Sequence, residues 1–236
     1  MSLTAAETID QILEQASAAL VATDYVRAEA LALRGLSKAL GVRDFERAAR
    51  ITLPLQEARR QRRHEATDAG QVFLLGELPK PASLVAGMYL LRPPLIGVQA
   101  AALRQAADRK GVPVFVLVRE PTTKDGLWPI VGATTQVSVR VRLKPPASSM
   151  GGESGDAAPD AAWMLAAGEA LGDEAIRRLK PDDPAAWKVA DLVEFLDAVP
   201  EHEKLHQRLA DECRRAMREP PPSGKRRRPI VVDDWF

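Results

Sequence analysis

The chain has a single cysteine, Cys213, among 236 residues. That excludes an internal disulfide or a cysteine-based zinc cage within one chain, and it suits a reducing compartment. Histidine is nearly as scarce, with three in all, and aromatic residues make up 5%. Neither sign of charge dominates: 33 basic residues against 32 acidic ones leave a formal charge of +1, so the chain as a whole is not built to coat nucleic acid. No apolar run approaches the ~20 residues needed to cross a membrane, and Met1–Glu7 has neither the basic start nor the apolar core of a secretory signal. These absences together predict a cytoplasmic protein. Hydrophobic residues at 46% of the chain are enough for one large core or two small ones.

The densest apolar stretch runs from Leu84 to Pro121. Residues 84–91 and 112–118 read as buried strands, the second nearly all β-branched and without polar alternation. Between them Val98, Ala101, Ala102, Leu103, Ala106 and Ala107 keep one side of a helix apolar, and Gly111 supplies a stop. A strand, a helix and a strand of these lengths predict a right-handed parallel crossover. Further strands are expected at 71–75, 128–131 and 136–143. The last alternates, with valines inward and Ser138, Arg140 and Arg142 outward, as an edge strand would.

Flanking this unit the pattern is helical. Thr4-Ala5-Ala6-Glu7 is a capping box ahead of a helix near 5–22. Asp24-Tyr25-Val26-Arg27-Ala28 returns twenty residues later as Asp44-Phe45-Glu46-Arg47-Ala48, each an Asp to cap, an aromatic to pack and an Ala for close approach. The third helix meets Pro54, where Thr52 favours a kink or restart. The aromatic-x-x-Ala pattern after a polar turn resembles the second helix of a tetratricopeptide hairpin, over residues 5–66. That resemblance implies stacked helical hairpins and a surface for another protein. Beyond residue 144, positions 145–160 read as a linker of turn formers. Helices follow near 161–171, 173–180, 184–198 and 200–218, with Asp183-Pro184 as a cap followed by a first-turn proline. The expected class is a mixed α+β or α/β fold. Its parts are a hairpin segment 1–66, a small α/β unit 70–144, a linker 145–160, a helical segment 161–218 and a flexible tail 219–236.

Four places carry chemistry. In open α/β sheets ligands bind beyond the carboxyl ends of strands, where Arg92, Arg119 and Lys124 stand ready for a small anion, with Glu120 or Asp125 as a base or metal ligand. No glycine-rich phosphate loop precedes the helix, so the alternative is a solvated turn. His202-Glu203-Lys204-Leu205-His206 matches the HExxH pattern of zinc peptidases, with His202 and His206 as ligands and Glu203 as general base. At about 100° per residue both histidines fall on the apolar stripe of their helix with Leu209 and Cys213. Core or interface histidines fit that placement equally well. Lys204 and Arg208 replace uncharged and apolar positions of the signature, no third histidine follows, and Cys213 lies on the order of 10 Å from His206 along the axis. The run Arg59-Arg60-Gln61-Arg62-Arg63-His64 either grips phosphates or forms a solvated face paired with acids, the second preferred because no aromatics are interleaved.

The tail, finally, passes from prolines through Lys225–Arg228 to Trp235 and Phe236. Its acidic, phenylalanine-ended tip looks like the partner-binding tip of bacterial single-stranded-DNA-binding proteins, over its last few residues. It either docks on its own domain or enters a partner's pocket. The function expected from these features is a non-enzymatic protein-interaction or scaffold protein without a cofactor, its partner another protein, with nucleic acid less favoured. A zinc-dependent hydrolase and a small-anion binder are the alternatives.

Overall fold

The twenty-residue repeat is a structural repeat. In the computed structural model, which describes residues 5–134, 137–147, 158–224 and 226, Asp24 and Asp44 each cap a helix. Their carboxylates accept the backbone N–H of Arg27 and Arg47 at 3.2 and 3.0 Å. The turns before them match bond for bond. Thr23 N–H donates to Leu20 O and Asp24 N–H to Ala19 O, as Arg43 N–H donates to Leu40 O and Asp44 N–H to Ala39 O. Thr23 and Arg43 both take a left-handed backbone, φ +58° and +57°. Three helices result: α1 (Ala5–Val21), α2 (Tyr25–Gly41) and α3 (Phe45–Asp68). Ala28 and Ala48 are buried where neighbours approach, as expected. Arg47 also reaches Asp10 at 2.8 Å, tying α3 to α1. Pro54 does not stop α3, which continues through it; the Thr52 hydroxyl donates to the Ala49 carbonyl just ahead of it.

A five-stranded sheet follows in sequence order: β1 (Val72–Leu75), β2 (Gly87–Leu91), β3 (Val114–Arg119), β4 (Trp128–Ala133) and β5 (Ser138–Leu143). β1, β2 and β3 are parallel, and β4 and β5 antiparallel additions. The crossover from β2 to β3 is α4 (Gly97–Lys110), ended by Gly111 with φ +65°. The strand expected from Leu84 begins only at Gly87, whose N–H donates to the Pro113 carbonyl. β5 lies at the sheet edge, with Val139 buried beneath it.

The sheet is covered on both faces, which is why β2 and β3 carry no polar alternation. Tyr89, Leu91, Val114, Val116 and Val118 meet Ala100, Leu103, Ala106 and Ala107 of α4. Met88, Leu90, Phe115 and Leu117 face a larger core shared with residues of α3 and of the three C-terminal helices. Those helices are α5 (Ala161–Arg177), α6 (Ala185–Ala198) and α7 (Glu203–Ala216). The architecture is the mixed α+β class, and the segments before and after the sheet pack on each other, α3 against α7.

Three C-terminal boundaries differ from expectation. Residues 171–173 do not break a helix; α5 runs through Gly172, and the imidazole of His202 lies against that glycine. A Cβ on Gly172 would fall 2.0 Å from the ring. α7 starts at Glu203, with His202 as its N-cap, and Pro184 rather than Asp183 occupies the cap position of α6. The capping Thr4, the strand start at Gln136, linker residues 148–157, and Trp235 and Phe236 of the tail lie outside the described residues. No helix among the described residues is long and apolar enough to cross a membrane.

Candidate functional site

The polar centre of the molecule lies where α3 meets α4 and the α6–α7 junction. Arg59, Arg62 and Arg63 occupy the i, i+3 and i+4 positions of α3 and share a face. The sequence offered a solvated basic face, and the structure corrects this. Arg59 is buried, and the side chains of Arg62 and Arg63 retain little exposure. The pairing with acids does hold. Arg59 reaches Glu29 at 2.8 Å, Arg62 pairs with Glu29 and Asp108, and Arg63 holds Glu169 at 3.0 Å and Glu203 at 2.6 Å. Burial alone would push the Glu29 carboxyl up, but Arg59 and Arg62 outweigh it and hold that group below its ordinary value. Arg104 of α4 completes the set, with its Nε 3.5 Å from Glu201 and its Nη2 donating to the Val116 carbonyl at 2.6 Å.

That bond to Val116 marks a split in the sheet. β3 and β4 pair only through Val118 with Val131 and Arg119 with Ile130, and then diverge. Gly132 of β4 turns toward α6, so close to the Ala198 carbonyl that a Cβ there would stand 2.6 Å from the oxygen. Arg104 supplies the donor that a neighbouring strand would otherwise give Val116. A narrow cleft enters at the split, apolar at Phe115 and Leu171 and polar at Arg63, Glu169, Glu201 and His202.

The two histidines are brought together, though not as helix neighbours presenting a common ligand face. His202 Nδ1 accepts the Leu205 N–H at 3.3 Å, so the neutral ring carries its proton on Nε2, which faces Glu169 and Asp173 at 3.4 Å each. His206 Nδ1 lies 2.9 Å from the His202 carbonyl, and its Nε2 lies 3.4 Å from Arg59 Nη1. A carbonyl only accepts and a guanidinium only donates, which fixes the proton of His206 on Nδ1. Desolvation, helped by the Arg59 cation, pushes its pKa down to about 3, and desolvation lowers His202 as well. A guanidinium directed at the Nε2 lone pair is a poor neighbour for a metal ion, and Glu203 is held by Arg63. Among the described residues no group of three or more His, Cys, Asp and Glu is placed to hold a metal. Cys213 is buried, and burial raises its thiol to about 12.

The expected anion loop is arranged differently from its sequence reading. Arg119 is buried, its guanidinium 4.3 Å from the centre of the Trp128 ring and its Nη1 donating to Thr122 at 3.1 Å. Arg92 follows β2 beside Gly76, Lys124 is exposed, and Glu120 accepts both Arg140 bonds at 2.7 Å. At the tail's root Arg226 lies 2.6 Å from Asp191 and 2.9 Å from Glu194 on α6. Sequence reasoning missed Glu29, Asp108, Glu169 and Glu201 as partners of the arginine face. Their only signal was an equal number of acids scattered elsewhere in the chain. Comparison of the chain with protein-family models, with curated proteins and with solved structures returns no match.

Proposed function

We propose that the protein is a non-enzymatic interaction protein whose helical hairpins meet another protein, with the aromatic tail Trp235-Phe236 as a second contact. The observation that carries this reading is a pair of leucines at equivalent positions of the two repeat copies. Leu33 of α2 and Leu53 of α3 are 37% and 71% exposed and stand equally far from the turn that joins their helices. Single exposed leucines are ordinary, and the same repeat position left open in both copies offers a partner two apolar contacts related by the repeat. The resemblance of residues 5–66 to tetratricopeptide hairpins supports the same reading. So does the pairing of Glu203 with Arg63, because a general base would need that carboxylate free.

The test places a photo-crosslinking residue at position 53, and for comparison at Ser17, in cells. A discrete adduct from position 53, lost when Leu33→Glu is added or residues 229–236 are removed, supports the proposal. The Leu33→Glu and Leu53→Glu variants should stay within about 0.5 kcal/mol of wild-type stability, as surface changes do. Equal labelling at both positions, or an adduct indifferent to both changes, would sink it. A hydrolytic activity abolished by chelator and by His206→Ala would put the zinc reading, with His202 and His206 as ligands, in its place.

A further inference from the structure

The four arginines Arg59, Arg62, Arg63 and Arg104 do more than tie helices together. They line a cavity of about 50 Å³ between α3, α4 and the α6–α7 junction, with Glu29, Asp108 and Glu201 as the other charged walls. The Nε–H groups of Arg62, Arg63 and Arg104 are buried and form no hydrogen bond. The carboxylate nearest the last of them, on Glu201, stands off at 3.5 Å. A buried donor left unsatisfied costs on the order of 1–3 kcal/mol. All three belong to side chains that line this one cavity.

Charge points the same way. The four guanidinium side chains are 6%, 13%, 12% and 22% exposed. Only two of their carboxylate partners are comparably withdrawn from water, Glu29 at 13% and Glu201 at 12%. Asp108 and Glu169 are 41% exposed and Glu203 31%, so water screens their share of the neutralisation. Of the residues that line the cavity itself, four are cations and three are carboxylates, a balance of one positive charge. Its volume holds roughly three or four water molecules, or one ion of four oxygens. Guanidinium forks match such an oxyanion in geometry as well as charge.

We infer that this cavity is a binding site for a small tetrahedral oxyanion of the phosphate or sulfate type, held by Arg62, Arg63 and Arg104. The run Arg59–Arg63, read from sequence as a possible grip on phosphate, acquires that role inside the fold, where Arg104 joins it from 41 residues further along the chain.

Inorganic phosphate, sulfate and chloride are titrated into the full-length protein at constant ionic strength, with melting temperature and calorimetric binding as readouts. Phosphate or sulfate should raise the melting temperature where chloride does not, as a ligand specific to the folded state must. Arg104→Lys keeps the charge but removes the fork and should weaken the phosphate Kd about tenfold or more. Glu201→Gln removes one inner carboxylate and should tighten it, so the two variants move in opposite directions. Glycerol phosphate serves as a further probe: binding weaker than inorganic phosphate identifies the free ion as the ligand, and tighter binding identifies a phosphoryl group on a larger molecule. The inference is overturned if chloride matches phosphate, if no anion binds and the cavity holds ordered water only, or if Glu201→Gln fails to tighten the site. It is also overturned if folded Arg104→Lys binds phosphate as wild type does.

Discussion

Replacing Gly172 by alanine tests the packing of the C-terminal helices through one methyl group. Alanine is favoured over glycine inside a helix by about 1 kcal/mol, so on local grounds the change should stabilise α5. The structure argues the reverse. The added Cβ would lie 2.0, 2.3 and 2.4 Å from Cγ, Cδ2 and Nδ1 of His202, a buried ring with no flexible end to yield. Moving the ring costs about 1–3 kcal/mol for overpacking, and about 1 kcal/mol more for the lost cap, since His202 Nδ1 accepts the Leu205 N–H. Net of the helix gain, Gly172→Ala should destabilise by about 2 kcal/mol. In a His202→Ser background the cap oxygen survives and the ring is gone, so the same alanine should stabilise by up to about 1 kcal/mol. Urea unfolding of the four proteins near pH 7.5, with midpoints compared at constant slope, reads out a coupling of roughly 3 kcal/mol. A stabilising Gly172→Ala in the wild-type background, or two changes that add within about 0.5 kcal/mol, would refute the reasoning.

Three other expectations follow from buried groups. The His206 imidazole takes a proton near 6.5 when unfolded and only at about 3 when folded, so between those values the unfolded state binds more protons. Its contribution is complete above pH 6.5 and is lost on acidification by about 1.4 kcal/mol per pH unit. Unfolding measured from pH 7 to pH 4 should have a shallower pH dependence in His206→Gln, and identical slopes would count against the assignment. Glu29→Gln leaves Arg59 and Arg62 without their shared carboxylate and should cost about 3–5 kcal/mol in chemical denaturation; a loss under 1 kcal/mol would mean the cluster carries no such weight. Cys213, with its thiol raised to about 12, should ignore Ellman's reagent at pH 8 in the native state and react fully after unfolding. Rapid stoichiometric reaction of the folded protein would contradict its burial.

What the sequence made legible was local. Asp24 and Asp44 could be read as caps because a cap is satisfied within three residues, and β2-α4-β3 could be read because burial on both faces writes itself into an uninterrupted apolar run. Gly111 announced the end of α4 for the same reason. The arginine face could be counted but not placed, since Arg63 finds Glu169 and Glu203 at separations of 106 and 140 residues. His202 and His206 were assigned inward correctly, but a pattern of residue types does not say that one would cap α7 while the other would accept from Arg59. Gly172 misled because glycine reads as a helix breaker where its real task is to leave room for a ring. The divergence of β4 from β3 had no sequence mark beyond Gly132, which alone is ambiguous.

The long reach of the arginine pairs bears on how the chain is made. A polypeptide leaves the ribosome from its N-terminus, and β2 to β5 each lie against the strand made just before. Helix α3 is synthesised early, with Glu29 already at hand, yet Asp108, Glu169, Glu201 and Glu203 are translated far later. During that interval the nascent chain displays a cationic stripe that the finished protein conceals. Closing it falls to α4 and the helices after the sheet, so the stripe is fully paired only once residues through Glu203 have been made and folded onto it.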